Sequence, residues 1–260
     1  MRLKIDVELD YAIDGATDVL MLMQAAALPD QSLAYDNLLV SSNEPLRATP
    51  GADGVGQRCW AYAEGRFHAT YQAIVAIERD DIALASLGET APRHLPPETV
   101  PYLLPSRYCE SDQFEGFVAQ TFGTLRGGPL AAELAAWVAD HLAYESGSST
   151  GATTALMTFA NRHGVCSDYT HLLVALARAG GIPARCVSAY APGVDPPDFH
   201  AVAELWLEGA WRLVDATGMG GAHDLARIAV GRDATDIAFM TTFGRATLNR
   251  QQVSVVRLED

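Results

Sequence analysis

Cys166, His200 and Asp215 are the residues of this sequence whose types and order could carry out nucleophilic catalysis. A cysteine thiolate can attack a carbonyl carbon, a histidine can move the proton that the reaction requires, and a carboxylate can orient that histidine. Such a set works only where the three side chains meet in space. Its prediction therefore depends on the helices and strands that would carry them.

The first of these residues, Cys166, stands at the start of a predicted helix. Apolar residues follow it with helical spacing at Tyr169, Leu172, Leu173, Leu176 and Ala177. The segment 180–183, Gly-Gly-Ile-Pro, ends the pattern and predicts a helix over residues 166–179. The unpaired N–H groups and the positive dipole end of a helix N-terminus favour a thiolate, and Asp168 is predicted to complement that dipole. Cys166 is thus a candidate nucleophile, with a buried structural cysteine as the alternative.

His200 and Asp215 fall in a predicted β-hairpin. Strand patterns cover residues 199–207 and 211–215, and Glu208-Gly209 between them is typical of a two-residue turn. With that turn, His200 and Asp215 become diagonal neighbours on one face of the hairpin. A three-residue turn would move Asp215 to the other face. The alternative interpretation is a strand histidine near an unrelated turn aspartate.

The segments around these residues resemble the bacterial transglutaminase-like superfamily. They read GVCSDYTHLLVALARAGGIPAR from Gly164 and DFHAVAELWLEGAWRLVDAT from Asp198. PYLLPSRY at 101–108 and the run WVADHLAYESG are also similar to that family. The resemblance therefore covers about residues 101–240.

This resemblance implies both a fold and the roles of the site residues. It implies a transglutaminase-like, or papain-like, α+β domain with Cys166 as nucleophile, His200 as base and Asp215 as the group that orients the base. The chain departs from the family pattern at Val202, where tryptophan is frequent, and at Ala216, where proline is frequent. Neither departure changes one of the three catalytic residue types.

The sequence predicts two domains. Residues 1–84 show period-two alternation and turn clusters, which indicate a small antiparallel β-sandwich. A proline-rich segment over residues 85–105 is the predicted linker. The predicted domains are 1–98, a β-sandwich with its linker, and 99–260, the catalytic domain.

The predicted catalytic domain combines helices with an antiparallel sheet. Beyond the hairpin, helical patterns begin near Ser111, at Pro129 and at about 153, and strand patterns cover 236–243 and 251–258. Helices packed on an antiparallel sheet make an α+β domain. The predicted fold is therefore α+β, with an N-terminal antiparallel β-sandwich before the catalytic domain.

Composition limits the partners. A formal net charge of −14 argues against nucleic acid or an anionic membrane surface as a partner. The apolar segment 19–28 is shorter than the roughly 18 residues of a membrane span, so a cytoplasmic protein is expected. The four cysteines include no Cys-x-x-Cys pair, which favours reduced thiols and predicts neither a metal site nor a cofactor.

The chemistry expected of these residues is acyl transfer through a thioester. The Cys166 thiolate would attack an amide carbonyl, His200 would protonate the departing amine, and Asp215 would hold the imidazole in the required tautomer. The backbone N–H of Cys166 is one expected donor to the oxyanion. Tyr144 and Asn161 are both candidates for the second donor.

Three functions are compatible with this chemistry and fold. Hydrolysis of peptide or isopeptide bonds in a peptide or protein substrate is favoured, because large calcium-dependent crosslinking enzymes of the family carry further domains. An amine-dependent transglutaminase is the first alternative, since a primary amine could resolve the same thioester. A non-catalytic peptide-binding module is the second, and the intact set of three residue types argues against it.

Overall fold

The chain begins with an antiparallel sheet in the computed structural model, which describes residues 1–259. Alternate side chains of its two long central strands are buried, as period-two alternation predicts. The buried face is apolar and packs in part against Tyr190 and Ile228 of a second sheet. The strands of this segment are β1 (Arg2–Met21), β2 (Gln31–Val40), β3 (Arg47–Pro50) and β4 (Gln57–Ile77).

A segment of short turns leads from this sheet to the helices. Between residues 78 and 114 the described chain forms only 3-10 turns, of which the longest is Pro97–Leu103. The segment is nevertheless packed against its surroundings. The Tyr102 hydroxyl donates a hydrogen bond to Asp53 at 2.6 Å, and the Gly128 N–H donates one to the Leu87 carbonyl at 2.9 Å.

Four helices follow, and the last of them is the centre of the second core. Its residues from Leu172 to Ala177 are completely buried against the other helices and the second sheet. The elements of this segment are α1 (Glu115–Phe122), α2 (Gly127–His141), β5 (Ala143–Tyr144), α3 (Ala155–Asn161), β6 (His163–Gly164) and α4 (Cys166–Ala179).

The second sheet has four antiparallel strands in the order β10-β7-β8-β9. Strands β7 and β8 are almost entirely buried, since α4 covers one face and the first sheet approaches the other. The strands are β7 (Ala184–Tyr190), β8 (His200–Leu207), β9 (Ala210–Val214) and β10 (Ala226–Gly231).

A buried charge cluster ties the second sheet to the loops of the first. The Glu204 side chain is fully buried, and its carboxylate lies 2.7 Å from Arg185 Nη2 and 2.7 Å from Arg227 Nε. Arg185 also contacts Asp53 at 2.8 Å, and Arg227 contacts Asp30 at 2.9 Å. We refer to these five residues as the buried charge cluster.

The chain then returns to the first sheet. Its last elements are α5 (Ala234–Ile237), β11 (Met240–Thr242) and β12 (Arg245–Leu258). Both strands pair with β1, which brings the first sheet to six strands. The predicted strand at 236–243 is wrong in its first part, because Asp233 caps Thr235 N–H at 3.0 Å and so starts a helical turn.

The α+β class and the strand-rich antiparallel N-terminal region are confirmed. The structure links the N-terminal strands into one hydrogen-bonded sheet, and it adds to them strands from residues 240–258 that the sequence assigns to the catalytic domain 99–260. Alternation within a segment indicates a strand but does not identify its partner. The boundary between 98 and 99 stays a prediction. Among residues 1–259, no helix has both the length and the apolar character needed to cross a membrane.

Candidate active site

Cys166 is the first residue of α4, as predicted, and the observed helix matches the predicted range 166–179. The helix is fixed by its buried apolar residues, so its N-terminus has a defined position beside the second sheet. Cys166 is partly exposed. The other three cysteines are buried: Cys59, Cys109 and Cys186. Of the thiols in the described chain, that of Cys166 is therefore the one that a substrate can reach.

Asp168 holds the backbone turn that leads into Cys166. Its carboxylate accepts hydrogen bonds from the Val165 N–H at 2.8 Å and from the Ser149 hydroxyl at 2.9 Å. Burial raises the pKa of Asp168 against the opposing effect of these two bonds. A Cβ at Gly164 would lie 2.6 Å from the Asp168 Cβ, so glycine is required there. The sequence predicts only a dipole role for Asp168, and the hydrogen bond from the Val165 N–H, which is one half of a capping box, is seen only in the structure.

The hairpin has the geometry that brings His200 and Asp215 together. Glu208 and Gly209 have φ values of 50° and 75°, which is the backbone of a two-residue type I′ turn. Leu207 faces Ala210 across the strands, as this turn requires. His200 Nε2 lies 2.8 Å from Asp215 Oδ2, and both side chains are buried. The predicted contact between these two residues is present.

Asp215 is held by further donors that the sequence prediction missed. Its Oδ1 accepts hydrogen bonds from the Thr217 N–H at 2.9 Å and the Thr217 hydroxyl at 2.7 Å. Its Oδ2 accepts one from the Gly220 N–H at 2.9 Å in addition to the contact with His200. Burial acts to raise the pKa of Asp215, but the bonds from His200 and Thr217 outweigh it and lower the pKa. The carboxylate is therefore ionised and fixed in orientation.

His200 lies between Asp215 and Cys166. Burial acts to lower its pKa, but the bond to Asp215 and the neighbouring Cys166 side chain raise the pKa to about 9. Because Nε2 is occupied by Asp215, Nδ1 is the ring atom left for Cys166, which lines the same cavity as His200; Nδ1 is buried and has no hydrogen-bond partner within residues 1–259. The structure thus brings the three predicted site residues into one contiguous set.

Tyr144, and not Asn161, lies beside the nucleophile. The short strand β5 pairs in parallel with β6, with Tyr144 opposite Gly164, so the tyrosine is adjacent to the turn before Cys166. Partial removal from water raises the pKa of Tyr144, the Cys166 side chain raises it further, and the Cys166 backbone N–H lowers it. Asn161 ends α3 and is exposed.

An open cavity of about 280 Å³ adjoins Cys166 and His200. It lies between the start of α4, the beginning of β8 and the segment that contains α5 and β11. Residues 1–259 contain no cluster of three or more His, Cys, Asp or Glu side chains arranged to hold a metal ion. The arrangement can supply a nucleophile, a proton carrier and an orienting carboxylate next to a space for substrate.

The chain is similar to a protein of known structure and to a second protein known from its sequence. A crystal structure of the "Putative Cysteine Protease" from Cytophaga hutchinsonii has 31% sequence identity and a TM-score of 0.94, and the match covers 100% of this chain and 91% of that one. An uncharacterised protein of Mycobacterium leprae (strain TN) is 30% identical over 112 residues. That second match covers 40% of this chain and 40% of the relative's length.

A family model agrees with the similarity to the Cytophaga structure. It is described as the transglutaminase-like superfamily, and it matches residues 121–216. This range contains Cys166, His200 and Asp215 together with α4 and the hairpin that position them. The chain belongs to the transglutaminase-like superfamily.

Proposed function

We propose that this protein is a cysteine-dependent hydrolase that cleaves peptide or isopeptide amide bonds through a thioester on Cys166. The observation that carries the proposal is a partly exposed cysteine at a helix N-terminus that lines the same cavity as His200, whose Nε2 contacts the ionised Asp215. The name of the Cytophaga relative, "Putative Cysteine Protease", also supports a hydrolase.

The first half of the proposed reaction forms the thioester. The Cys166 thiolate attacks the amide carbonyl carbon, and the carbonyl oxygen gains the negative charge of the tetrahedral intermediate. His200, protonated at Nδ1, then gives this proton to the amide nitrogen as the carbon–nitrogen bond breaks. Asp215 keeps Nε2–H in place, so the proton available for the amine is the one that faces Cys166.

The second half of the proposed reaction hydrolyses the thioester and releases the carboxylic acid product. Neutral His200 takes a proton from a water molecule, and the resulting hydroxide attacks the thioester carbonyl. The carbon–sulfur bond breaks with its electron pair on sulfur, which restores the Cys166 thiolate and the imidazolium. A primary amine in place of water would give transamidation, which is the alternative function.

The oxyanion needs hydrogen-bond donors in both halves. We propose the backbone N–H of Cys166 as the first donor and the Tyr144 hydroxyl as the second, because Tyr144 pairs with Gly164 and so lies beside the turn that leads into Cys166. A substrate carbonyl oxygen bound there would accept a hydrogen bond from each of these two groups. The exposed position of Asn161 gives no support to its candidacy.

The pH dependence of turnover follows from His200. Its pKa is raised to about 9, so the imidazolium that protonates the leaving amine is present below about pH 9 and is lost above it. We expect kcat/KM to fall about tenfold per pH unit above that value. Alkylation of Cys166 by iodoacetamide needs only the thiolate and should not fall. A decline of turnover that begins near pH 6.5, the ordinary pKa of histidine, would contradict the raised value.

Two experiments test the proposed hydrolysis: trapping of the thioester on Cys166, and measurement of how the thioester divides between water and an added amine. Incubation with a peptide mixture should give a mass adduct on Cys166 that hydroxylamine removes, because hydroxylamine cleaves thioesters. With methylamine present at millimolar concentration, we expect mainly the free acid as product, since the cleft is open to water. Dominant formation of the methylamide would identify a transglutaminase and overturn hydrolysis. Full activity of Cys166→Ala would overturn both functions.

A further inference from the structure

The cavity beside Cys166 has a predominantly apolar wall. This wall is formed by Phe199, Ile237, Phe239 and Met240, and we refer to the space that they enclose as the side-chain pocket. At about 280 Å³ it lies near the lower limit of ligand pockets, roughly 300–1,000 Å³. That volume suits one large side chain of a substrate better than a whole cofactor.

The wall is rigidly supported from both sheets. The rings of Phe199 and Phe239 stack with their centroids 4.2 Å apart and their planes 2° from parallel. Phe199 directly precedes the catalytic candidate His200, while Met240 pairs with Met21 of β1. The Phe239 carbonyl accepts a hydrogen bond from the Leu22 N–H at 2.9 Å. The side-chain pocket therefore exists before any substrate binds.

Two polar side chains lie at the side-chain pocket, one at its rim and one in its lining. Asp198 is exposed at its rim and is fixed there by hydrogen bonds from the Phe199 N–H at 2.7 Å and Gln251 Nε2 at 2.5 Å. Ser188 lies in the lining, and its buried hydroxyl has no hydrogen-bond partner within residues 1–259. The Asp198 carboxylate at the rim repels an acidic substrate side chain. Burial of an apolar side chain against the apolar wall is favourable.

We propose that the side-chain pocket binds a large apolar side chain next to the reacting carbonyl, and that Asp198 disfavours acidic side chains at that position. This specificity rests on the proposed function, because the pocket adjoins the thiol and imidazole that would carry the reaction. The substrate class is thus a peptide or isopeptide whose acyl residue resembles leucine or phenylalanine.

The test uses N-acetyl amino acid chloromethyl ketones, which carry their side chain on the acyl side. The Cys166 sulfur bonds to the methylene carbon and chloride leaves with the electron pair, so no catalytic turnover is required. Rates are measured by mass spectrometry for reagents with leucine, alanine and glutamate side chains, each divided by the rate of chloroacetamide, which has no side chain. We expect leucine to react at least about tenfold faster than alanine, and glutamate to react more slowly than alanine.

Three substitutions test whether residues of the side-chain pocket cause the preference for leucine over alanine and glutamate. Ala238→Phe fills the pocket and should lower the ratio of the leucine rate to the chloroacetamide rate about tenfold. Met240→Gln keeps the size of the side chain but adds an amide, and it should reduce the preference for leucine several-fold. Asp198→Asn should raise only the glutamate rate. Ala136→Phe, on the exposed face of α2, is the matched control and should change none of these rates.

Failure of the specificity and failure of the function give different results. Equal normalised rates for the three reagents, or a leucine preference that survives both Ala238→Phe and Met240→Gln, would overturn the side-chain pocket and leave the hydrolase proposal intact. A Cys166 that reacts with none of the reagents, including chloroacetamide, would overturn both.

Discussion

Asp215→Asn is expected to lower turnover of a peptide substrate by about four orders of magnitude. The carboxylate is the acceptor that fixes the His200 Nε2–H at 2.8 Å, and an amide in its place can present a donor to Nε2. Nε2 would then accept this hydrogen bond, so the neutral imidazole would carry its proton on Nδ1 and could not act there as a base. The change is to be measured as kcat/KM, with unfolding in urea to verify that the variant is folded.

Two control variants distinguish the loss of His200 orientation in Asp215→Asn from the effect of removing any carboxylate. Asp236→Asn removes a partly exposed carboxylate that pairs with Arg232 at 3.1 Å, and activity should be unchanged. The double variant Cys166→Ala with Asp215→Asn should be no less active than Cys166→Ala alone, because the residues act as a unit. An Asp215→Asn variant with activity within tenfold of the unmodified protein would refute the role assigned to this residue.

Glu204→Gln is expected to lower the free energy of unfolding by about 3–5 kcal/mol. The Glu204 carboxylate is fully buried and lies 2.7 Å from each of two guanidinium groups, those of Arg185 and Arg227. The amide keeps the volume but removes the negative charge, so both cations lose their fully buried partner, and Asp53 and Asp30 are the carboxylates that still pair with them. Urea denaturation followed by circular dichroism measures the change.

The matched control for Glu204→Gln is a substitution in a solvent-exposed ion pair. Lys4 and Asp6 are 2.9 Å apart, but their side chains are 51% and 34% exposed, so Asp6→Asn should cost no more than about 1 kcal/mol. Similar small losses for Glu204→Gln and Asp6→Asn would show that the buried charge cluster contributes little. A large loss for Glu204→Gln alone would show that the cluster stabilises the contact between the two sheets.

The parts of the site that local sequence determines were predictable. Apolar spacing and the segment 180–183 delimit α4, and the turn at Glu208-Gly209 sets the hairpin register that brings His200 to Asp215. Each of these features depends on interactions between residues close in the chain. The sequence therefore predicts the relation of His200 to Asp215 and the helix position of Cys166.

The remaining parts depend on contacts between distant segments. The proposal of Tyr144 over Asn161 as a donor rests on the parallel pairing of β5 with β6, which neither two-residue strand reveals by its pattern. The return of β12 to β1 and the apolar wall of the side-chain pocket likewise require tertiary structure. Alternation and composition identify candidate strands, but the partner is selected by packing that the whole chain creates.

The return of β12 to β1 also constrains the order in which the chain can fold. Arg2 pairs with Leu258, so β1 lacks its second long neighbour until the ribosome has synthesised more than 240 further residues. During that interval one side of β1 is an open edge that could pair with other nascent chains. Contacts around α4 and the hairpin join residues much closer in sequence and can form earlier. The segment that contains α4 and the hairpin is thus expected to acquire its core before β12 completes the first sheet.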